Sequence, residues 1–311
     1  MNHVCLGCCN AIDDDADYHA LCLTALFGES RLPAIDVEIA KLHTLALASV
    51  GRTTLSGVQR KLSLRLSSDK ATLQLAVGPG RYILKPQAQT FPALPENEHV
   101  TMRLAELVGI TTPPCALLRL KDDSLAYVVA RFDRPRGGGK LRLEDFCQLA
   151  EKSPKQKYEG SAELCARIVK RFASEPLVEL VKLFRLTAFS WWTGNGDMHL
   201  KNFSLLTGDD GLHRLAPAYD QLSTRLVIPS DDLALPVGGK KSNCNRSTWL
   251  EFAKYCGLPP KVAAKTLQRF IAVSADALAL IARSFLNDEM KADYHELIVE
   301  RTRILGAGDA Q

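Results

Sequence analysis

The chain has 311 residues, of which 46% are hydrophobic and 24% charged, a composition that supports one large or two modest folded domains and excludes an intrinsically disordered protein. Lysines and arginines number 39 and acidic residues 35, so the net charge of +4 is too small to argue for a nucleic-acid partner. The most apolar stretch, 177–192, is interrupted by Glu179, Lys182 and Arg185, so no membrane contact is predicted. No signal-peptide pattern is recognised, and we expect a cytoplasmic protein.

Residues 1–30 form a Cys- and His-rich segment with the spacing of a zinc knuckle. Two ligand pairs, each with two residues between its members, are typical of tetrahedral Zn²⁺ sites. The candidate zinc ligands are Cys5, Cys8, His19 and Cys22. Leu21, Leu23 and Phe27 are the expected apolar anchors, so metal binding would supply folding free energy that a small core cannot. The alternative, a set of reduced thiols with a surface histidine, stays open.

The other cysteines are interpreted as core residues. The total of nine is odd, which argues against a fully paired disulfide framework and suits a reducing compartment. Cys9 is a spare thiol beside the candidate ligands. Five more stand singly in apolar or mixed segments, where cysteine behaves as a small buried hydrophobe. These five are Cys115, Cys147, Cys165, Cys244 and Cys256.

Residues 31–135 are predicted to form a small, mainly β lobe. A helix is expected over 37–48, and Asn97 is expected to cap a second helix that Gly109 ends. Alternation of apolar and polar side chains indicates strands. The predicted strands are 62–66, 72–77, 82–84, 116–120 and 126–132.

Residues 136–311 are predicted to form a larger, helical lobe behind a basic, glycine-rich loop at 134–140. One of its helices has an apolar face marked by Leu177, Leu180, Val181 and Phe184. The order of elements predicts an α+β fold with a small N-terminal lobe and a helical C-terminal lobe, which is the layout of a protein kinase. Other α+β folds could share that order, so the fold alone decides no chemistry.

The strongest chemical signal is a loop of sequence GNGDMHLKN at 194–202. Phosphoryl transfer needs a carboxylate that orients the attacking hydroxyl and oxygen ligands for Mg²⁺. Asp197 is the candidate catalytic base and Asn202, five residues later, a candidate Mg²⁺ ligand. Asp220, after one further predicted strand, is the second candidate Mg²⁺ ligand. The alternative is that 195–197 is a hairpin turn and Asp220 a helix cap.

Two features of the N-terminal lobe fit nucleotide binding. Lys85 ends an apolar strand, from which it could reach the α- and β-phosphates, and Glu98 on the next helix could pair with it. The loop 54–61, with Gly57 and several hydroxyls, could point backbone N–H groups at phosphates. Taken alone that loop is a weak signal, because it matches neither the glycine-rich kinase loop nor the Walker pattern.

Seven motifs, in this order, together resemble those of the HipA-type toxin serine/threonine kinases, across roughly residues 50 to 245. They are SGVQRK (56–61), ILKP (83–86), ENE (96–98), RFDR (131–134), EDFCQL (144–149), GDMHLKNF (196–203) and APAYD (216–220). The length and the early phosphate loop resemble the short HipT branch in particular. The loop departs from that branch, because its Ser-Ile-Ser is Thr54-Leu55-Ser56 here.

The resemblance implies a kinase-like (HipA-like) fold, ATP and Mg²⁺ as cofactors, and a role for each motif. Asp197 is then the base, Asn202 and Asp220 bind Mg²⁺, and Glu98 is the partner of Lys85. Backbone groups near Arg131 and Phe132 would meet adenine. The implied nucleotide-binding residues are Ser56, Gly57, Val58, Gln59, Lys61, Lys85, Arg131, Phe132, His199 and Lys201, and the implied autophosphorylation sites are Ser56 and Thr54.

The resemblance also implies a bacterial type II toxin that phosphorylates an aminoacyl-tRNA synthetase and so inhibits translation. Its expected partners are a HipB-like DNA-binding antitoxin, which alone would contact DNA, and a small HipS-like protein. Two other functions stay open: a small-molecule phosphotransferase, and a catalytically idle pseudokinase that serves as a repressor subunit. The presence of all four of Lys85, Asp197, Asn202 and Asp220 argues against the last of these.

Overall fold

The N-terminal segment folds as a short hairpin and one helix in the computed structural model, which describes residues 3–12, 16–35, 59–76, 78 and 80–307. Strands β1 (His3–Val4) and β2 (Ala11–Ile12) pair antiparallel, and helix α1 spans Ala20–Phe27. Leu23 and Phe27 are buried as predicted, but Leu21 is 82% exposed. The prediction for Leu21 was wrong because the helix buries the face of positions 23, 26 and 27, and residue 21 points away from that face.

A six-stranded sheet forms the frame of the N-terminal lobe. Its strands are β3 (Ala34–Ile35), β4 (Leu62–Leu66), β5 (Thr72–Leu75), β6 (Tyr82–Pro86), β7 (Cys115–Arg119) and β8 (Leu125–Ala130). Their order is β3-β5-β4-β6-β8-β7, with β3 parallel to β5 and the other neighbours antiparallel. The alternating patterns therefore located the strands, within a residue or two at most ends, whereas the helix predicted over 37–48 lies outside the described residues.

Helix α2 (Leu94–Leu107) lies between β6 and β7 in the chain and contacts the cores of both lobes. Val100 and Leu104 pack in the core of the C-terminal lobe, and Met102 packs in that of the N-terminal lobe. Asn97 was predicted to cap this helix, and that prediction was wrong: the helix begins one turn earlier, with Pro95 in its first turn, and Asn97 is fully buried inside it. Gly109 follows the helix end with a φ of 78°, as a terminating glycine should.

The C-terminal lobe is helical around a small sheet. Its antiparallel sheet has the order β11-β10-β9. The elements are β9 (Arg142–Asp145), α3 (Phe146–Leu149), α4 (Ala162–Phe172), α5 (Pro176–Trp192), β10 (Ser204–Thr207), β11 (His213–Leu215), α6 (Arg246–Cys256), α7 (Pro260–Ala272), α8 (Ser274–Ala282) and α9 (Asp288–Gly306). Leu180 and Phe184 of α5 are buried, whereas Leu177 is exposed because it lies in the first turn, beyond the packed part of the helix.

The five single cysteines are all buried, which agrees with their interpretation as core residues. None of the nine cysteines, all of which lie in the described part of the chain, forms a disulfide. Among the described residues, none of the helices combines the length and the apolar character that a membrane crossing requires. The prediction of an α+β fold with a mainly β lobe before a larger helical lobe is confirmed.

Candidate active site

Lys85 lies near the end of β6 and is bonded to two carboxylates. Its Nζ is 2.5 Å from Glu98 Oε1 on α2 and 2.5 Å from Asp220 Oδ1, and its side chain is only 4% exposed. Burial by itself lowers the pKa of Lys85, but Asp220 and Glu98 outweigh burial and hold that pKa above its usual value. The lysine is therefore a fixed cation, and Glu98 rather than the nearby Glu96 is its helix partner.

Asp220 is surrounded by two lysines. Its Oδ2 lies 2.6 Å from Lys61 Nζ, while its Oδ1 takes the bond from Lys85. Burial raises the pKa of Asp220, but Lys61 and Lys85 lower it further, so it lies well below the usual range and the carboxylate stays charged. Its φ of 53° is left-handed, a conformation that costs free energy outside glycine and is often kept where a side chain must be aimed.

Asp197 lies in the turn between α5 and β10 and is held by three neighbours. Its Oδ1 accepts a 2.5 Å hydrogen bond from the Tyr158 hydroxyl, and its N–H donates to Asn195 Oδ1 at 3.1 Å. Asn202 Nδ2 donates to the Asp197 carbonyl at 2.9 Å, which fixes the two ends of the turn. Burial raises the pKa of Asp197, and the hydrogen bond from Tyr158 opposes that rise.

The backbone around these residues excludes two alternatives, a hairpin turn at 195–197 and a helix cap at Asp220. A Cβ on Gly196 would lie 2.4 Å from the Asp232 backbone carbonyl oxygen, so a side chain cannot be placed there. The turn ends in a 3₁₀ segment, Leu200–Asn202, and connects a helix to a strand, so it is not a hairpin. Asp220 likewise caps no helix in the described chain, because the next helical turn, Thr224–Leu226, has Ser223 at its N-cap position.

Lys85, Glu98, Asp220 and Asn202 line one cavity between the lobes, with a volume of about 500 Å³, and Asp197 lies next to it through its hydrogen bond with Asn202. Its apolar lining includes Ile83, Val129 and Leu143. Its polar lining includes Lys61, Lys85, His199, Lys201, Asn202 and Asp220. A cavity of this size with an apolar side and a few convergent charged groups is what a nucleotide-sized ligand requires.

His199 and Lys201 were expected to bind nucleotide, and both side chains border this cavity. Burial lowers the pKa of His199 to about 4, so its imidazole is neutral at pH 7. Its ring meets the Tyr158 ring edge-on. Lys201 Nζ lies 2.6 Å from Asp145 Oδ2, an acidic partner that the sequence did not reveal.

Arg131 and Phe132 follow β8 directly and also border the cavity. The Arg131 guanidinium makes two hydrogen bonds to Asp133, at 2.9 and 2.8 Å, and the Arg131 backbone N–H donates to the Arg81 carbonyl at 2.8 Å. These bonds engage Arg131 within the protein, which leaves the Phe132 backbone as the candidate for the adenine edge. Asp133 also lies 3.4 Å from Arg134, so its carboxylate partly neutralises the positive charge of both arginines.

The phosphate loop is described only at its end. Thr54, Ser56, Gly57 and Val58 lie outside the described residues, so their predicted roles stay predictions. Gln59 is the first residue of this loop that the structure describes. The Lys61 side chain reaches the Asp220 carboxylate at the cavity.

Sequence reasoning missed three residues of this site. Tyr158 lies in a polar stretch without a periodic signal, and Asp145 stands in the motif 144–149 but was given no role; only the fold brings them to Asp197 and Lys201. Asn97 makes two 2.8 Å hydrogen bonds to the Ser223 backbone, which tie α2 to the chain just beyond Asp220. An asparagine between two glutamates inside an otherwise apolar helix pattern was the available signal for it.

The family model for the HipA-like C-terminal domain matches residues 53–278, which covers the site and most of the chain. The chain belongs to this family. The expected resemblance to HipA-type kinases is therefore confirmed, and assignment to the HipT branch stays a prediction. A putative kinase of Sinorhizobium fredii, Y4mE, is 31% identical over 242 residues, which are 74% of this chain. The chain spans only 57% of the length of that relative.

Solved structures agree with this membership at the level of the fold. The HipA-like chain resembles one in the HipA, HipB and operator DNA complex of Shewanella oneidensis, with a TM-score of 0.74 and 23% identity over 91% of this chain and 74% of that one. It also resembles the Helicobacter pylori proinflammatory kinase CtkA, with a TM-score of 0.56 and 17% identity over 75% of this chain and 88% of that one. The two-lobed kinase-like fold predicted from the sequence is confirmed.

Proposed function

We propose that this HipA-like chain is a serine/threonine protein kinase that uses ATP and Mg²⁺. The observation that carries the proposal is the convergence at one cavity of Lys85, bonded to Glu98 and Asp220, with Asn202, whose side chain holds the Asp197 carbonyl. A structural role for these groups would not require carboxylates and lysines to converge at a cleft between lobes. Phosphoryl transfer requires such a set.

The donor set fits a nucleotide with its magnesium. Asn202 commits its amide nitrogen to the Asp197 carbonyl, so its side-chain oxygen is the atom to offer a cation, and Asp220 adds a carboxylate that stays charged. Oxygen ligands of this kind are those that Mg²⁺ prefers. When bound, Mg²⁺–ATP supplies the transferable phosphoryl group and neutralises its charge. Lys85 and Lys61 would hold the phosphates as two further cations.

Asp197 would take the proton from the acceptor hydroxyl. A base works best when its pKa is close to the working pH, and the burial that raises the Asp197 pKa moves it in that direction. Tyr158 donates to one carboxylate oxygen and leaves the other to meet the hydroxyl. The neutral His199 ring beside Tyr158 adds no charge to this part of the cavity at pH 7.

We further propose that the chain is the toxin of a type II toxin–antitoxin pair and that its substrate is an aminoacyl-tRNA synthetase. The basis is family membership and the fold shared with the HipA of the Shewanella complex. A HipB-like antitoxin, with a small HipS-like protein, is the proposed partner. Purified bacterial synthetases incubated with labelled ATP and the wild-type chain should yield one labelled synthetase, and Asp197→Asn should abolish the label. A panel with no labelled member, while lysate proteins are labelled, would overturn the substrate and retain the kinase.

Phosphorylation of Ser56 or Thr54 by the chain itself is proposed as an off switch. The added charge of about −1.5 to −2 would repel ATP phosphates, and Arg60 or Lys61 could hold the modified loop away from the cavity. Prolonged incubation with Mg²⁺–ATP should place phosphate on one of these hydroxyls and weaken ATP binding. If Ser56 and Thr54 stay unmodified after such incubation, the switch is contradicted. Asp197→Asn is the control, because phosphate on this variant would come from a contaminating kinase.

A further inference from the structure

Four candidate metal ligands of the N-terminal segment converge on one point outside the kinase cavity. The Sγ atoms of Cys5, Cys8 and Cys22 and the ligand nitrogen of His19 all lie within 4.8 Å of one another. Cys5 and Cys8 come from the turn between β1 and β2, while His19 and Cys22 come from the beginning of α1. Two short ligand pairs, one on a turn and one on a helix start, are thus brought face to face.

The separations match the edges of a zinc tetrahedron. With Zn–S bonds of about 2.3 Å and Zn–N bonds of about 2.0–2.1 Å, tetrahedral angles place two sulfurs about 3.8 Å apart and a sulfur and a nitrogen about 3.5 Å apart. The Cys5 and Cys22 sulfurs are 3.8 Å apart, and Cys8 Sγ lies 3.4 Å from His19 Nδ1. A disulfide would need about 2.05 Å between sulfurs, so these cysteines are spaced for a common ligand.

The backbone around the ligands supports the same interpretation. The N–H groups of Gly7 and His19 each point at Cys5 Sγ, at 3.3 Å, where they stabilise negative charge on that sulfur. A Cβ on Gly7 would lie 2.7 Å from the Cys22 Cβ, so the two ligand pairs can approach this closely only with glycine there. Neither feature would be needed by a set of separate surface thiols.

The residues between the ligands attach the segment to both lobes. Leu6 is buried in the N-terminal core, and its carbonyl accepts a 2.9 Å hydrogen bond from the Leu117 N–H of the edge strand β7. His99 Nε2 donates to the Gly7 carbonyl at 3.0 Å, from the position next to Glu98 on α2. Arg283 Nε, just beyond α8 in the other lobe, donates to the Cys9 carbonyl at 3.1 Å.

We propose that Cys5, Cys8, His19 and Cys22 bind one structural Zn²⁺ and that this closed site clamps the N-terminal segment over the edge of β7, α2 and the end of α8. Three thiolates and an imidazole with no position for water are the donor set of structural zinc rather than of Mg²⁺ or a catalytic metal. The buried apolar side chains of the segment, such as Leu6 and Phe27, belong to the core of the N-terminal lobe, and the metal supplies the further free energy that fixes the turn carrying the Gly7 and Cys9 carbonyls. The zinc site does not depend on the proposed kinase activity.

Metal analysis of the full-length chain, purified under reducing conditions, tests the proposal. We expect about one zinc per chain, retained on desalting, as in other four-ligand sites. The variant Cys5→Ser/Cys8→Ser should lose it, whereas Cys9→Ala, which removes a neighbouring thiol outside the cluster, should keep it. If the double variant fails to fold, cobalt substitution of the wild-type chain replaces it: three-thiolate tetrahedral Co²⁺ gives intense visible absorption bands.

The clamp has its own readout. Removal of zinc with a chelator should speed hydrogen exchange at the Leu117 amide, whose acceptor is the Leu6 carbonyl, and leave amides of β10 in the other lobe unchanged. Zinc below about a fifth of an equivalent, both as purified and after incubation with zinc chloride, would overturn the site, since closed zinc sites bind their metal tightly. Zinc bound with unchanged exchange at Leu117 would overturn the clamp.

Discussion

Tyr158 sets the protonation of the proposed base, so its removal should shift the pH dependence of transfer. Burial raises the pKa of Asp197 and the Tyr158 hydrogen bond lowers it, so Tyr158→Phe should raise that pKa further. A base works only when deprotonated, so activity falls as the pH drops through its pKa. The acidic limb of kcat/KM against pH should therefore move to higher pH in Tyr158→Phe.

Wild-type protein measured in the same buffers is the reference for that shift. Tyr255→Phe provides a matched control, because it makes the same substitution at an exposed tyrosine whose hydroxyl accepts a 3.0 Å hydrogen bond from Arg167, not one that involves Asp197. An acidic limb that stays in place, or moves to lower pH, would contradict the role assigned to Asp197 and Tyr158.

The buried pair of Lys85 and Glu98 should show strong coupling in stability. Lys85→Met leaves Glu98 buried without its cation, which typically costs about 3–5 kcal/mol of unfolding free energy. The double variant Lys85→Met/Glu98→Leu removes both charges of the pair, so neither position keeps a buried charge without its partner. It should therefore be more stable than Lys85→Met alone. Denaturant unfolding of four proteins, the wild type, both single variants and the double variant, measures this, and additive losses would show that the pair is not coupled.

The residues of this site could be predicted from the sequence where phosphoryl transfer requires a particular spacing between them. The five-residue interval from Asp197 to Asn202 and the strand position of Lys85 are local features, and Glu98 and Asp220 followed from resemblance and order. Tyr158, Asp145 and Lys61 as a partner of Asp220 could not be predicted, because each contact joins chain segments that only the folded lobes bring together.

At the scale of elements, α2 connects four parts of the molecule through buried polar groups. Asn97 binds the Ser223 backbone, Glu98 binds Lys85, His99 binds Gly7 and Thr101 binds the Tyr294 hydroxyl at 2.9 Å. All four side chains of α2 are buried, and a buried polar group without a partner is costly. The position of α2, and with it that of Glu98, is therefore determined by polar contacts as well as by packing.

Asn97→Ala should consequently affect stability and activity together. It leaves the Ser223 N–H and carbonyl without partners, at a cost of about 1–3 kcal/mol for each group left unsatisfied. It also frees α2 from the chain beyond Asp220, so kcat/KM for ATP should fall severalfold. Thermal unfolding and steady-state kinetics measure the two effects.

The N-cap Asn245 of α6 provides the matched control. Its side chain accepts from the Thr248 N–H at 3.0 Å, far in sequence from the site, and loss of such a cap costs about 0.5–2 kcal/mol. Asn245→Ala should lower the melting temperature and leave kcat/KM unchanged. Equal kinetic losses in both variants would mean that Asn97 acts through general stability alone.

Elements were easier to predict than their caps and partners. Strands of the N-terminal lobe alternate in polarity because one face of the sheet meets the core, and β4, β5 and β6 were found on that signal. The beginning of α2 was misplaced because its N-cap, Ala93, makes no side-chain cap, so the usual polar signal pointed to Asn97 instead. The exposed Leu21 shows the same limit, since helix spacing alone does not say which apolar residue the fold covers.

At the scale of the whole molecule, two hydrophobic cores meet at a cleft that collects the charged groups. Lys85 belongs to the sheet lobe and Asp197 to the helical lobe, so the proposed phosphoryl transfer depends on the relative position of the lobes. Contacts between the lobes that fix that position include the hydrogen bonds of Asn97 to Ser223 and of Thr101 to Tyr294, the ion pair of Lys85 with Asp220, and the hydrogen bond from Arg283 to the Cys9 carbonyl.

Transfer of labelled phosphate from ATP to protein hydroxyls by the wild-type chain and by Asp197→Asn tests the central claim most directly. In a bacterial lysate with Mg²⁺, the wild type should label serine or threonine of a protein, and the variant should transfer at least about 100-fold more slowly, in line with the loss of a general base. Mg²⁺–ATP affinity should be equal in the two proteins, because Asp197 acts on the acceptor. Transfer by Asp197→Asn within tenfold of the wild type, or no transfer by a wild type that binds ATP, would contradict the account.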